Sequence, residues 1–164
     1  MAELIPEIHS GMLLLEPSAG MGRIAKYACD VLHILEENIV CVEKNENRAK
    51  HLSSEFSNTI NADFLSLEIS NKFDIVLMNP PFEEMQDVSH VMKAYKHLKP
   101  EGRLVSVMSE SPYFRENKIA VEFRKWLEIV KGKSIRLPEN SFKESGTGVN
   151  TRLVVIANEN SHSK

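Results

Sequence analysis

Asn79-Pro80-Pro81-Phe82 is the segment whose residue types and spacing point most directly to chemistry. It follows the apolar run Phe73-Asp74-Ile75-Val76-Leu77-Met78, which reads as a buried parallel strand, so the four residues fall at a strand's C-terminal end. A residue before proline is pushed toward an extended backbone, and Pro80 and Pro81 fix the chain beyond it. The Asn79 side-chain amide and the Pro80 carbonyl are therefore held in place. Two fixed neutral acceptors suit the two N–H bonds of an exocyclic amine, and Phe82 adds a flat apolar face for the attached ring. That pattern fits a pocket for a nucleobase amine. The plainer reading of the same four residues is a rigid turn that ends a strand, with Phe82 packed in the core.

A second candidate lies upstream, where Leu13-Leu14-Leu15-Glu16 reads as a short strand running through Pro17-Ser18-Ala19-Gly20-Met21-Gly22 into a helical pattern. Gly20 and Gly22 allow a sharp turn and close approach of a ligand to the backbone, beside the unpaired N–H groups of a helix start. Such loops also serve dinucleotides, but the third glycine of that fingerprint is absent. Glu43 ends the strand Ile39-Val40-Cys41-Val42-Glu43, where a carboxylate can accept from both hydroxyls of a ribose.

Together, Glu16-Pro17-Ser18-Ala19-Gly20-Met21-Gly22 and Asn79-Pro80-Pro81-Phe82 resemble the amino-methyltransferases that use S-adenosylmethionine. In particular they are similar to the adenine-N6 methyltransferases, with their acidic-Pro-Ser-Ala-Gly-x-Gly loop followed downstream by Asn-Pro-Pro-aromatic. The resemblance implies that S-adenosylmethionine lies across Glu16, Ser18, Ala19, Gly20, Gly22, Glu43 and Asn79, with Glu16 near its methionine amino group. Asp63-Phe64 resembles the family's next motif, in which the carboxylate accepts from the cofactor's adenine amine and the aromatic lines the ring. The carboxylates are expected to act as fixed acceptors without changing protonation. Asn79, Pro80 and Phe82 become the catalytic group, acting on an exocyclic nucleobase amine, first of all adenine N6 of DNA. Guanine N2 or adenine N6 of RNA and glutamine N5 of a protein are the alternatives, and a non-catalytic binding module of the same fold is the alternative of another class. By motif match, Phe142 is the second aromatic that stacks on the target base opposite Phe82; otherwise it anchors a hairpin.

These residues need strands to carry them. Strand-like runs recur at 12–16, 39–43, 59–62, 73–78, 103–108, 134–137 and 152–157, with helical patterns at 23–32, 47–56, 88–98 and 119–130. Asn45 or Asn47, and Asp87, stand where N-caps are needed. Alternating strand and helix specifies a doubly wound, mostly parallel α/β sheet. The last two strands, joined by the polar segment 138–151 without a helix, should form an antiparallel hairpin at one edge, as in the class I methyltransferase fold. That polar segment is placed to act as a lid.

At 164 residues the chain has room for one domain, with residues 1–11 as a short leading segment and 159–164 as a frayed tail. The closing helix that precedes this motif set in adenine-N6 enzymes has no room in residues 1–11, and a target-reading domain has none either. A partner subunit for target recognition is therefore expected. With no secretory or membrane-spanning pattern, the expected place is the cytoplasm. Cys29 and Cys41 lack metal-ligand spacing, so free thiols and no metal are expected, and His33, His51, His90 and His97 read as surface or packing residues. The net charge of −3 is uneven: residues 1–92 carry 6 basic and 15 acidic groups, residues 93–136 carry 11 and 5. Lys93, Lys96, Lys99, Arg103, Arg115, Lys118, Arg124 and Lys125 in the basic stretch either border a nucleic-acid path or are ordinary solvated helix faces.

Overall fold

The structure is a computed structural model that describes residues 8–70, 72–139, 141 and 149–159. Among them run β1 (Leu14–Glu16), α1 (Arg23–Asp30), β2 (Ile39–Glu43), α2 (Glu46–Leu52), β3 (Thr59–Asn61) and β4 (Phe73–Met78). Then follow α3 (Gln86–Tyr95), β5 (Leu98–Ser109), α4 (Ser111–Phe114), α5 (Lys118–Ile129), β6 (Lys133–Arg136) and β7 (Thr151–Ala157). The seven strands form one sheet in the order β3-β2-β1-β4-β5-β7-β6, parallel through β5 and antiparallel across β5-β7-β6. The doubly wound sheet with an antiparallel edge hairpin is the architecture that the residue pattern predicts.

Alternation along the central strands supplies a core on each face. Leu14, Ile75 and Leu77 pack with Ala25 and Ala28 of α1 and with Leu52 and Phe56 at and beyond the end of α2. Leu15, Val76 and Met78 pack on the other face with Val88, Val91 and Ala94 of α3 and Phe123 and Leu127 of α5. Helices thus cover both faces, which is why β4 reads as a nearly unbroken apolar run. The chain winds outward from β1 in one direction and from β4 in the other. The C-terminal ends of β1 and β4 therefore diverge into loops at the switch in strand order, where ligands of such sheets bind.

Four details differ from the sequence-based expectation. β5 starts at Leu98, because Leu98 pairs with Phe73 before a bulge and Arg103 resumes the ladder opposite Ile75. The intervening Pro100-Glu101-Gly102 reads as a turn in sequence. At Gly102 a Cβ would stand 3.0 Å from the Phe73 carbonyl oxygen and 2.9 Å from that of Lys99, so only glycine lets the backbones approach. The four-residue α4, with proline near its start, was not expected. Asn45 caps α2 by accepting from the Arg48 amide, whereas Asp87 is no N-cap: it lies inside α3, whose cap position is Met85. Glu159, expected in a frayed tail, pairs with Lys131 at 2.8 Å.

Candidate functional site

The loop after β1 is braced from two directions. The Ala19 amide donates to the Val42 carbonyl at 2.9 Å, and the Gly20 amide donates to Glu43 Oε2 at 2.7 Å. Glu43 Oε1 accepts from the Asn45 amide at 2.8 Å, so one carboxylate at the end of β2 joins the glycine loop to the start of α2. Each oxygen keeps a further lone pair. Gly20 has φ +55 and nothing lies within 4 Å of where its Cβ would be, so its backbone is open to a ligand. Gly22 differs: at φ +73 its Cβ would meet Leu52 Cδ2 at 2.6 Å and Phe56 Cε2 at 3.3 Å. Its bareness serves the packing of α1 on α2.

Glu16, only 1% exposed, accepts from the Ala25 amide in the first turn of α1 at 2.9 Å. Burial raises its pKa to about 8, opposed by the Ala25 amide and assisted by the nearby Glu43 charge. The side chain is withdrawn from water in a cleft that Arg23 and Arg48 also border, which sets it apart from the fixed acceptor expected from sequence. Asp63 behaves oppositely: the hydrogen bond from Lys44 Nζ at 2.7 Å and the Leu65 amide at 3.0 Å hold its carboxyl below the usual range.

Phe64 is 2% exposed and packs 5.7 Å from the His90 ring, with the Lys93 ammonium 5.4 Å from its centroid. Lys93 also donates to the carbonyls of Leu65 and Leu67 at 3.0 and 2.6 Å, fixing the segment that carries Asp63 to α3. His90 has Nδ1 2.8 Å from the Gln86 carbonyl, which assigns the proton to Nδ1; burial first of all lowers its pKa and keeps the ring neutral.

Beyond β4, Asn79 and Phe82 are half-buried, Pro80 is buried and Pro81 exposed. After Phe82 the chain enters α3 through Glu84 and Met85, at φ 51 and 58, a left-handed pair without glycine that costs about 1–2 kcal/mol per residue. Side chains behind the turn hold it: Met85 is buried with Asn117 Nδ2 3.8 Å from its sulfur, and Asp87 is fully buried.

Two adjoining clefts result. One of about 520 Å³ is bordered by Ser18, Gly20, Glu43, Asp63, Phe64, Asn79, Pro80 and Phe82 among others. The other, of about 390 Å³, is bordered by Glu16, Ser18, Ala19, Gly20 and Asn79. Ser18, Gly20, Arg48 and Asn79 border both, and of the expected site residues within the described part only Gly22 borders neither. Phe142 lies outside the described residues, as does most of the segment expected to be a lid. Lys44, Arg48, Gln86 and His90 border the larger cleft and were not expected there; only the adjacency of Lys44 to Glu43 signals any of them. The chemistry fits an adenosyl amino acid: an open glycine backbone, carboxyl groups at the ends of β1 and β2 and after β3, and the Asn79 amide and the Arg48 guanidinium shared by both clefts.

The basic stretch does not form one path. Lys99 pairs with Asp74 at 2.9 Å near the N-terminal ends of β4 and β5, opposite the clefts. Arg124 Nη1 donates to the carbonyls of Pro112 and Arg115 at 2.9 and 2.7 Å, and Lys93 is held as described. Arg115 and Lys118 follow Ser109 at the strands' C-terminal side, Arg136 pairs with Glu110 there at 2.9 Å, and Lys93 packs on Phe64 of the larger cleft.

No curated protein sequence matches the chain. The family described as methyltransferase small domain matches residues 9–137. Among solved structures, the chain is similar to the methyltransferase subunit of a type I restriction-modification system from Streptococcus thermophilus. The identity is 22% and the TM-score 0.80, over 98% of this chain and 42% of that one. It is similar to a putative class I S-adenosylmethionine-dependent methyltransferase from Listeria monocytogenes, at 13% identity and TM-score 0.75, over 99% and 58%. It is also similar to an rRNA methylase from Streptococcus thermophilus, at 15% identity and TM-score 0.63, over 96% and 90%. Identities this low show the shared fold, and the chain spans 42% and 58% of the length of the first two proteins.

Proposed function

We propose that this chain, which belongs to the methyltransferase small domain family, transfers the methyl group of S-adenosylmethionine to an exocyclic nucleobase amine, first of all adenine N6 of DNA. The observation that carries the reading is the meeting of both clefts at Asn79, with Pro80 and Phe82 on the wall of the larger one. S-adenosylmethionine, when bound, supplies a methyl group already activated by its sulfonium.

Glu43, oriented by the Gly20 and Asn45 amides, accepts from the ribose hydroxyls with its remaining lone pairs. Asp63 accepts from the cofactor's adenine amine, and Phe64 backs the ring. Glu16, at the methionine end, receives the ammonium. On the substrate side, Asn79 Oδ1 and the Pro80 carbonyl accept the two N–H bonds of the target amine. An aromatic amine is a poor nucleophile because its lone pair is delocalised, and two fixed acceptors favour the tetrahedral nitrogen that exposes it. Phe82 holds the base by stacking. No group has to remove a proton first: as the C–N bond forms, the C–S bond breaks and S-adenosylhomocysteine leaves, and the methylated nitrogen then sheds its extra proton to water.

Similarity to a restriction-modification methyltransferase subunit supports DNA and a partner subunit for target recognition. Among the described residues no helix is long and apolar enough to cross a membrane, which is compatible with the cytoplasmic placement included in this proposal. The test is calorimetry with S-adenosylmethionine, then transfer of tritiated methyl to DNA, RNA and protein pools, with mass spectrometry of the digested product. N6-methyladenine in DNA is expected. N6-methyladenine or N2-methylguanine in RNA would move the substrate, methylated glutamine would remove the nucleobase, and binding without transfer to any pool would favour a binding module.

A further inference from the structure

The backbone between Phe82 and α3 passes through two consecutive left-handed residues, neither of them glycine, so contacts outside the turn must hold it. Asp87 supplies them. It is the second residue of α3 and fully buried; its Oδ2 accepts from both the amide and the hydroxyl of Ser109 at 2.9 Å, while Oδ1 lies 3.0 Å from the Val88 amide. Ser109 ends β5, the neighbour of β4, and the end of β4 launches Asn79. The excursion over residues 79–86 is therefore footed on β4 at one end and, through Asp87, on β5 at the other. A helix start needs only a neutral cap. A carboxylate that accepts from α3 and β5 together is what a lock between two elements needs, and its partners here are neutral donors. Asp87 borders neither cleft.

We propose that Asp87 is a positioning residue, which locks the start of α3 to the end of β5 and thereby fixes Phe82 and the Pro80 carbonyl in the orientation that receives the target base. The proposal rests on reading Asn79 to Phe82 as the substrate side of the site. Asp87→Asn keeps the shape and removes the charge, and Ser109→Ala removes the hydroxyl donor while keeping the Ser109 amide.

The test combines transfer kinetics with fluorine NMR of protein labelled with fluorophenylalanine, in which Phe82→Leu identifies the Phe82 resonance. In the wild type that resonance should be single and sharp. In Asp87→Asn it should split or broaden, while kcat falls about 10- to 100-fold and the dissociation constant for S-adenosylmethionine stays within about twofold, as expected of misplacement away from the donor. Ser109→Ala should shift both readouts in the same direction by less. An unchanged Phe82 resonance in both variants overturns the proposal. So does a fall in kcat matched by equal loss of donor affinity, which is general loosening. If Asp87→Asn does not fold, Ser109→Ala decides. If the wild type transfers no methyl to any nucleic acid, the proposed function fails, and the Phe82 resonance still decides the positioning role.

Discussion

Glu16 carries a proton near neutral pH in the free protein, since burial raises its pKa to about 8, so an ammonium arriving beside it must displace that proton. At pH 7, binding of S-adenosylmethionine should release about one proton, read as a dependence of calorimetric enthalpy on the buffer's ionisation enthalpy; Glu16→Gln should abolish it. Enthalpies independent of buffer would remove Glu16 from the methionine end. The same shift has a sign for stability. The folded state holds a proton that the unfolded state lacks between pH about 4.5 and about 8, so this group's contribution falls as pH rises through that window. Glu43→Ala should weaken donor binding by about 1.5–3 kcal/mol, measured by calorimetry, because two charge-assisted hydrogen bonds go with it. Glu43, Asp63 and Asn79 are legible in sequence because each follows or ends an apolar strand, where fold geometry sends ligands. His90 and Asp87 are not, because their surroundings come from other elements: Asp87 meets Ser109 across 22 positions of sequence.

Elements are legible where their pattern is local and obscured where packing decides. β2 and β4 match their expected bounds because buried parallel strands read as continuous apolar runs, and α5 keeps its period between Asn117, which caps it, and Ile129. The early start of β5 was hidden because Pro100-Glu101-Gly102 reads as a turn, whereas pairing with β4 on one side and hydrogen bonds to Asn158 on the other extend the strand through it. The packing of α1 on α2 gives a sharp test. Gly22→Ala should destabilise the protein by about 2–4 kcal/mol in urea unfolding, from the left-handed backbone together with overpacking against Leu52 and Phe56. Gly20→Ala, with open space at its Cβ, should cost only the backbone part and should impair donor binding instead. Equal stability losses at both would contradict the division of labour between the two glycines.

At the scale of the molecule, the sheet sorts the charges that sequence had grouped. Lys96 precedes β5 and Lys99 lies near its start, whereas Arg115 and Lys118 follow its end on the side of the clefts. If a nucleic acid is bound, Lys118→Glu should lower the slope of log affinity against log salt by about one, and Lys96→Glu should leave it unchanged. Equal effects of the two would return the path to the whole stretch. Asn79→Ala separates the role of Asn79 as acceptor for the target amine from donor binding, which rests mainly on Glu43, Asp63 and the glycine loop. Calorimetric affinity for S-adenosylmethionine and tritiated-methyl transfer to DNA are measured on the same preparation. Affinity should stay within a few-fold of the wild type and the rate should fall by about 10²–10³, the scale typical of one lost oriented hydrogen-bond partner. Full transfer activity in Asn79→Ala would contradict the acceptor role.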